Sequence, residues 1–269
     1  MILKDDIQKF DGFFFDCDGV LWEENHLLPG ANELLNNLLA NNKQVAFLSN
    51  NSTKSVSQYL AKFKSFNLPV TEDQIMTSSV VTLKYVEKKD YPTKRVFIIG
   101  EQGLQDTFSQ HGYEVILKET DNERVDAVIV GMDRSFSYEK LSSGLRFCLK
   151  GADFIGTNPD PQFPTPKGYF PGAGSMIGAL QSALGYPPLK ICGKPDPLMA
   201  LIMLERFNLK AEKTIFIGDR VITDMNLALS AHMHPVLVKT GFGAEEFEKY
   251  PTFPYFKVIG SLMDFFQQD

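Results

Sequence analysis

The sequence predicts an α/β fold built around a mostly parallel sheet. Three observations carry that prediction. Short apolar runs recur along the chain at 12–17, 44–48, 96–99, 127–130, 214–217 and 235–238, each short enough to be a buried strand. Longer segments with apolar residues at helical spacing lie between them, and such alternation packs helices against parallel strands. The hydrophobic fraction is 43% against 22% charged, enough apolar material to cover a sheet on both faces.

The first run, GFFFDC at 12–17, is apolar and aromatic, and Gly19 closes it. A helix follows over 30–42, with Leu34, Leu35, Leu38 and Leu39 on one face. The strand at 44–48 ends in SNNST at 49–53, and a helix over 54–64 carries Val56, Leu60 and Phe63. Strand–helix pairs then read as 96–99 with 102–111 and 127–130 with 138–150. A short strand at 154–155 precedes helices at 173–184 and 197–207. Strand 214–217, helix 222–231 and strand 235–238 complete the pattern. Punctuation falls at 77–79 and at 157–172. The second stretch, TNPDPQFPTPKGYFPG, holds five prolines and two glycines and reads as a long loop.

Composition excludes some functions. A net charge of −6 argues against general affinity for nucleic acid or an anionic membrane surface. No apolar run approaches the roughly 20 residues of a membrane-spanning helix. The start, MILKDDIQKFDG, has acids where a signal peptide has its apolar stretch. Cys17, Cys148 and Cys192 are far apart and fit no zinc spacing; an odd count suits a reducing cytoplasm. His232 and His234 stand two apart beside a strand start and read as structural. The glycines of GAGSMIG at 172–178 follow a proline-rich stretch rather than a strand, which argues against a dinucleotide site.

In an open parallel sheet, ligands sit beyond the carboxyl ends of the strands. The first strand delivers Asp16 and Asp18 there, and the second delivers Ser49, Asn50 and Asn51. A segment near Cys192 gives Gly193-Lys194-Pro195, and strand 214–217 gives Gly218-Asp219, with Asp224 five residues on. Crowded carboxylates raise one another's pKa values, and a divalent cation removes that conflict. Oxygen ligands without His or Cys suit Mg²⁺, which leaves room for a substrate phosphate. Lys194 supplies a positive charge for a phosphoryl oxygen, and Ser49 a hydrogen bond. Asp16 is then the nucleophile that forms an aspartyl-phosphate, and Asp18 the acid that protonates the leaving oxygen and later deprotonates water.

With those residues assembled, DCDGV at 16–20, Ser49, GKP at 193–195 and GDRVITD at 218–224 resemble the four motifs of the haloacid dehalogenase superfamily, in order. The second acid, Asp18, resembles its phosphatase branch rather than its dehalogenases. LSNNST at 48–53, GMDRSFSYEKL at 131–141, TNPD at 157–160, PGAGSMIGAL at 171–180 and GKPDP at 193–197 resemble one subfamily. It contains the 4-nitrophenylphosphatase-like, phosphoglycolate and pyridoxal phosphate phosphatases. The resemblance implies a Rossmann-like core at 1–81 and 190–269, with an α/β cap inserted at 82–189. It implies Mg²⁺ held by Asp16, by the backbone carbonyl of Asp18 and by Asp219, with Asp224 supporting from behind. Ser49, Asn50, Asn51 and Lys194 contact phosphate or substrate in this resemblance, and Arg134 and Ser135 lie on the cap loop that selects substrate. Some members of the subfamily carry a histidine near the position of Ser135, and its absence here argues against pyridoxal phosphate as the main substrate. A homodimer through the cap is also implied.

The expectation is therefore a cytoplasmic Mg²⁺-dependent phosphomonoester hydrolase acting on a small phosphorylated metabolite, with 4-nitrophenyl phosphate as artificial substrate and phosphoglycolate as one candidate. Two alternatives stay open at this point. One is a phosphotransferase or mutase using the same aspartyl-phosphate; the other is a non-catalytic regulatory protein on the same fold.

Overall fold

The computed structural model describes residues 1–120, 124–165 and 167–267. They form two compact units. The first comprises Met1–Ser49, Tyr59–Met76 and Lys194–Asp269; the second comprises Asn50–Gln58 and Thr77–Gly193. The divisions therefore fall near 76 and 193, where the sequence reading draws its boundaries at 81 and 189.

The first unit is built on a six-stranded sheet in the order Lys257–Ile259, His234–Val238, Thr214–Gly218, Gly12–Phe15, Gln44–Ser49, Ile75–Thr77. From Lys257–Ile259 across to Gln44–Ser49 every pairing is parallel. Gly12–Phe15 lies inside this sheet and is wholly buried, which is why it reads as an uninterrupted apolar run. The chain first builds outward through Gln44–Ser49, then returns to the other side of Gly12–Phe15 with Thr214–Gly218. Such a reversal leaves a crevice at the strands' carboxyl ends. Helices Ala31–Ala40 and Val56–Ser65 bury Leu34, Leu35, Leu38, Tyr59 and Phe63.

The second unit has its own five-stranded parallel sheet, ordered Lys190–Ile191, Asp153–Gly156, Ala127–Val130, Arg95–Ile99, Glu114–Ile116. Its core joins Phe97, Val128, Phe147, Phe154, Ile177 and Leu180. Helices Tyr138–Leu149 and Ala173–Leu184 supply Phe147, Ile177 and Leu180 of that set.

Three expectations change. The proline-rich stretch is not a plain loop: Gln162–Thr165 and Gly168–Pro171 pair as an antiparallel hairpin. Prolines are tolerated there because a two-stranded ribbon has free edges that need no donor; Pro166 lies outside the described residues. The punctuation at 77–79 is a helix start, where the Thr77 hydroxyl caps the Val80 N–H of helix Ser78–Glu87. The expected helix over 222–231 opens with a π turn, Val221–Met225, before regular helix Asn226–Ser230.

No helix among the described residues is long and apolar enough to cross a membrane. Cys17, Cys148 and Cys192 are buried and form no disulfide. His234 packs edge-on against Phe10 and Phe256, the structural role its position suggests.

Candidate active site

The sheet register places the acids. Phe15 stands level with Ile217, so the residues after each emerge together, and the Asp16 N–H donates to the Ile217 carbonyl at 2.9 Å. Asp219 follows Thr214–Gly218 directly. Asp224 reaches the same place through the π turn, in which the N–H groups of Asp224 and Met225 both donate to the Arg220 carbonyl, at 2.9 and 3.2 Å. That wide turn sends the Asp224 side chain back along the chain. Its Oδ2 accepts from the N–H groups of Asp219 and Arg220 at 3.2 and 3.1 Å. π turns of this kind recur at functional sites.

Lys194 completes the cluster. Its ammonium lies 2.7 Å from Asp16 Oδ1 and 2.8 Å from Asp224 Oδ1, with the lysine side chain only 2% exposed. Burial opposes the charge on Lys194, but Asp16 and Asp224 together hold its pKa above the ordinary value. Burial pushes the Asp16 carboxyl up to about 7; Lys194 opposes that rise and Asp224 adds to it. Burial, then Asp224 and Asp16, push Asp219 well above the usual carboxylate range.

Asp16, Asp219 and Asp224 each offer a carboxylate oxygen within 4.8 Å of the others, a group that can hold a metal ion. The three are not equivalent. Asp224 Oδ1 meets Lys194 and the Thr223 hydroxyl, and its Oδ2 accepts two N–H groups. Asp219 Oδ2 accepts from the Phe242 N–H at 2.9 Å, but Asp219 Oδ1 is buried with no hydrogen-bond partner among the described residues. A buried carboxylate oxygen without a partner is costly. A hard, oxygen-seeking divalent cation fits that donor set. Asp224, already satisfied, fits a supporting place.

Two glycines make the approach to Asp219. Gly19 (φ +81°) and Gly241 (φ +55°) adopt the left-handed region, and a methyl group on either would overlap Asp219 Oδ2. The Thr240 hydroxyl ties the two segments by donating to the Gly19 carbonyl at 2.6 Å.

The remaining expected residues fall into two groups. In the first unit, the Asp18 side chain is absent from the acid cluster; it is 59% exposed and accepts from Trp22 Nε1 at 2.8 Å. The Ser49 hydroxyl shares a hydrogen bond of 2.7 Å with the buried Tyr59 hydroxyl. Asn50, Asn51, Arg134 and Ser135 belong to the second unit. There Asn50 donates to Asp160 at 2.9 Å, and Asn51 accepts from the Thr53 N–H and hydroxyl at 2.9 and 2.7 Å, an Asx-turn. Arg134 pairs with Glu101 at 3.1 Å and stays 64% exposed. The Ser135 hydroxyl bonds Asp133, and Lys140 reaches both residues.

Sequence reasoning misses Trp22, Tyr59, Lys62, Gly241 and the Phe242 N–H. TGFG at 240–243, one residue after strand His234–Val238, is a turn signal that marks the loop. A backbone N–H carries no residue signature.

The chain resembles known proteins over almost all of its length. A sequence profile described as haloacid dehalogenase-like hydrolase matches residues 13–114, and a second, described as HAD-hydrolase-like, matches 191–265. A dihydroxyacetone phosphatase of Corynebacterium glutamicum is 34% identical, over 94% of this chain and 89% of its own. The chloroplastic phosphoglycolate phosphatase 1A of Arabidopsis thaliana is 33% identical, over 87% of this chain and 70% of its own. The solved structure of a p-nitrophenyl phosphatase from Archaeoglobus fulgidus superposes with a TM-score of 0.87 at 31% identity, covering 95% of this chain and 98% of that one.

Proposed function

The chain belongs to the haloacid dehalogenase-like hydrolases, and from that premise we propose that it is a Mg²⁺-dependent phosphomonoester phosphatase working through an aspartyl-phosphate. One observation carries the reading: the Lys194 ammonium bridges Asp16 and Asp224 beside a buried Asp219 oxygen that has no hydrogen-bond partner among the described residues. An ion-pair cluster built for stability alone satisfies its oxygens; this one leaves an oxygen for a cation.

Asp16 is the nucleophile. Its Oδ attacks phosphorus as the bond to the leaving oxygen breaks, and Asp18 gives that oxygen a proton. Water then attacks the phospho-aspartate, Asp18 takes the water's proton, and Asp16 is released. Lys194 holds Asp16 in place and meets a phosphoryl oxygen, and Ser49 offers a hydrogen bond to another. Bound Mg²⁺, held by Asp16, Asp219 and the Asp18 backbone carbonyl with Asp224 behind, supplies charge neutralisation for the phosphoryl group.

The second unit is read as the inserted cap. Asn50, Asn51, Arg134 and Ser135 are its proposed substrate contacts; the exposure of Arg134 supports a part for it in meeting an anionic substrate. The substrate class is small phosphorylated metabolites, because relatives named for dihydroxyacetone and phosphoglycolate chemistry differ in substrate yet match this chain over 94% and 87% of its length. The reduced, buried cysteines support a cytoplasmic location. Dimerisation through the cap rests on the resemblance alone and is checked by light scattering.

The test is phosphate release from a panel of phosphorylated metabolites and 4-nitrophenyl phosphate, with Mg²⁺ and with EDTA. Turnover that needs Mg²⁺ and vanishes in Asp16→Asn supports the reading. Undiminished turnover in Asp16→Asn overturns the nucleophile, and phosphoryl transfer to an added alcohol in preference to water favours a transferase.

A further inference from the structure

After Phe15 the chain folds into a tight turn. The Gly19 N–H donates to the Trp22 carbonyl at 2.8 Å, and the Leu21 N–H to the Cys17 carbonyl at 2.9 Å. This brings the Trp22 indole back over Asp18, where Nε1 donates to Asp18 Oδ1 at 2.8 Å. Lys62 approaches the same oxygen: its Nζ is 3.8 Å from Asp18 Oδ1 and 4.2 Å from the centre of the Trp22 ring. Trp22 is wholly buried and cannot swing. Phe63 meets its ring edge-on at 4.9 Å and Phe66 stacks at 5.9 Å. Val56–Ser65 carries both Lys62 and Phe63, so one helix holds the ring and supplies the ammonium.

The chemistry of the two neighbours matters more than their distances. An indole N–H and an ammonium are donors only. Whatever oxygen they contact must act as an acceptor, whether the carboxyl is protonated or not. Both contact Oδ1. We propose that Trp22 and Lys62 are positioning residues for Asp18: they hold Oδ1 as a standing acceptor, so the proton exchanged in turnover travels on Oδ2.

The proposal rests on Asp18 being the acid and base of the reading above. In the first step the Oδ2–H proton passes to the leaving oxygen as the phosphorus–oxygen bond breaks and the Asp16–phosphorus bond forms. In the second, a water proton returns to Oδ2 as the water oxygen bonds to phosphorus and Asp16 departs. Oδ1 keeps the indole N–H as its donor and the ammonium beside it throughout, and the carboxyl need not rotate.

Leaving groups provide the test. A 4-nitrophenolate departs without a proton, whereas an alkoxide needs one. Positioning of the acid should therefore matter for glycerol 2-phosphate and little for 4-nitrophenyl phosphate. We measure kcat/KM for both, and for aryl phosphates between them, in wild type, Trp22→Phe, Lys62→Met and Asp18→Asn. Trp22→Phe keeps the packed ring and deletes the donor. It should lose about tenfold or more on glycerol 2-phosphate and less than about threefold on 4-nitrophenyl phosphate. Lys62→Met should move the same way by a smaller factor, and it decides the matter alone if Trp22→Phe does not fold. Equal losses across the series in both variants, or no loss in either, overturn the proposal and leave the pair a packing feature. If Asp18→Asn itself shows no dependence on the leaving group, the acid–base reading of Asp18 falls and this inference falls with it. A selective loss in Asp18→Asn alone overturns only the inference.

Discussion

Lys194 Nζ and Asp16 Oδ1 are 2.7 Å apart, the lysine side chain being 2% exposed and the aspartate 14%. A lone buried ammonium is expensive, and so is a lone buried carboxylate. Each is tolerated because the other is there.

Lys194→Ala therefore acts on stability as well as turnover. It leaves Asp16 and Asp224 facing each other without a counter-charge, and breaking a buried pair on one side costs about 3–5 kcal/mol. Urea unfolding in EDTA should show that loss. Added Mg²⁺ should restore part of it, since a cation replaces the missing charge.

The acids also set a pH dependence. The Asp16 carboxyl sits at about 7 in the fold against an ordinary 3.8, mainly through burial. Between those values the folded chain holds a proton that the unfolded chain has given up, so this group's contribution to stability falls as pH rises from about 4 to about 7 and is flat beyond. Asp219 is shifted in the same direction. In EDTA, the slope of unfolding free energy against pH should be more negative for wild type than for Asp16→Asn across that window. Metal affinity has the opposite trend: binding must displace the proton, so the Mg²⁺-induced rise in Tm should be larger at pH 8 than at pH 5.5.

Gly241→Ala should damage the metal site without touching a charged residue. Alanine at φ +55° is strained by about 1–2 kcal/mol, and its methyl overlaps Asp219 Oδ2. We expect a lower Tm and a Mg²⁺ affinity reduced by about tenfold, read by calorimetry. An unchanged affinity would show that the loop yields and that Asp219 is held by other contacts.

Arg134→Ala should leave stability within about 0.5 kcal/mol, because an exposed ion pair contributes little. Its effect should appear as a raised KM for substrates with a second anionic group, with kcat nearly unchanged. A neutral result across the metabolite panel would assign Arg134 to the Glu101 pair alone.

How far the sequence reaches differs from residue to residue. Asp16 and Asp219 are legible because each follows a buried apolar strand directly, and parallel register then carries both to one sheet edge. Lys194 is legible only through resemblance, since a lysine between glycine and proline has no physical signature. The satisfied state of Asp224 depends on a π turn, and nothing in VITDM distinguishes that turn from ordinary helix. Asn50 and Asn51 show another limit: their carboxamides bond Asp160 and Thr53, and nothing in SNNST signals those partners. The proline-rich hairpin was hidden because β pairing depends on a partner strand, and composition reports only the prolines.

The order of the strands has a consequence for the chain as it is made. Gly12–Phe15 meets Gln44–Ser49 soon after both leave the ribosome, but its other neighbour, Thr214–Gly218, arrives only after most of the polypeptide has been synthesised. Throughout that interval a strand of three phenylalanines has one unpaired edge, the kind of surface on which nascent chains stick to one another. Asp16 emerges from the tunnel early and Lys194, Asp219 and Asp224 late, so a truncated product ending before Lys194 carries the nucleophile with no counter-charge. Such a fragment lacks Lys194, Asp219 and Asp224 while it exposes an apolar strand edge, so it is expected to self-associate before it can act.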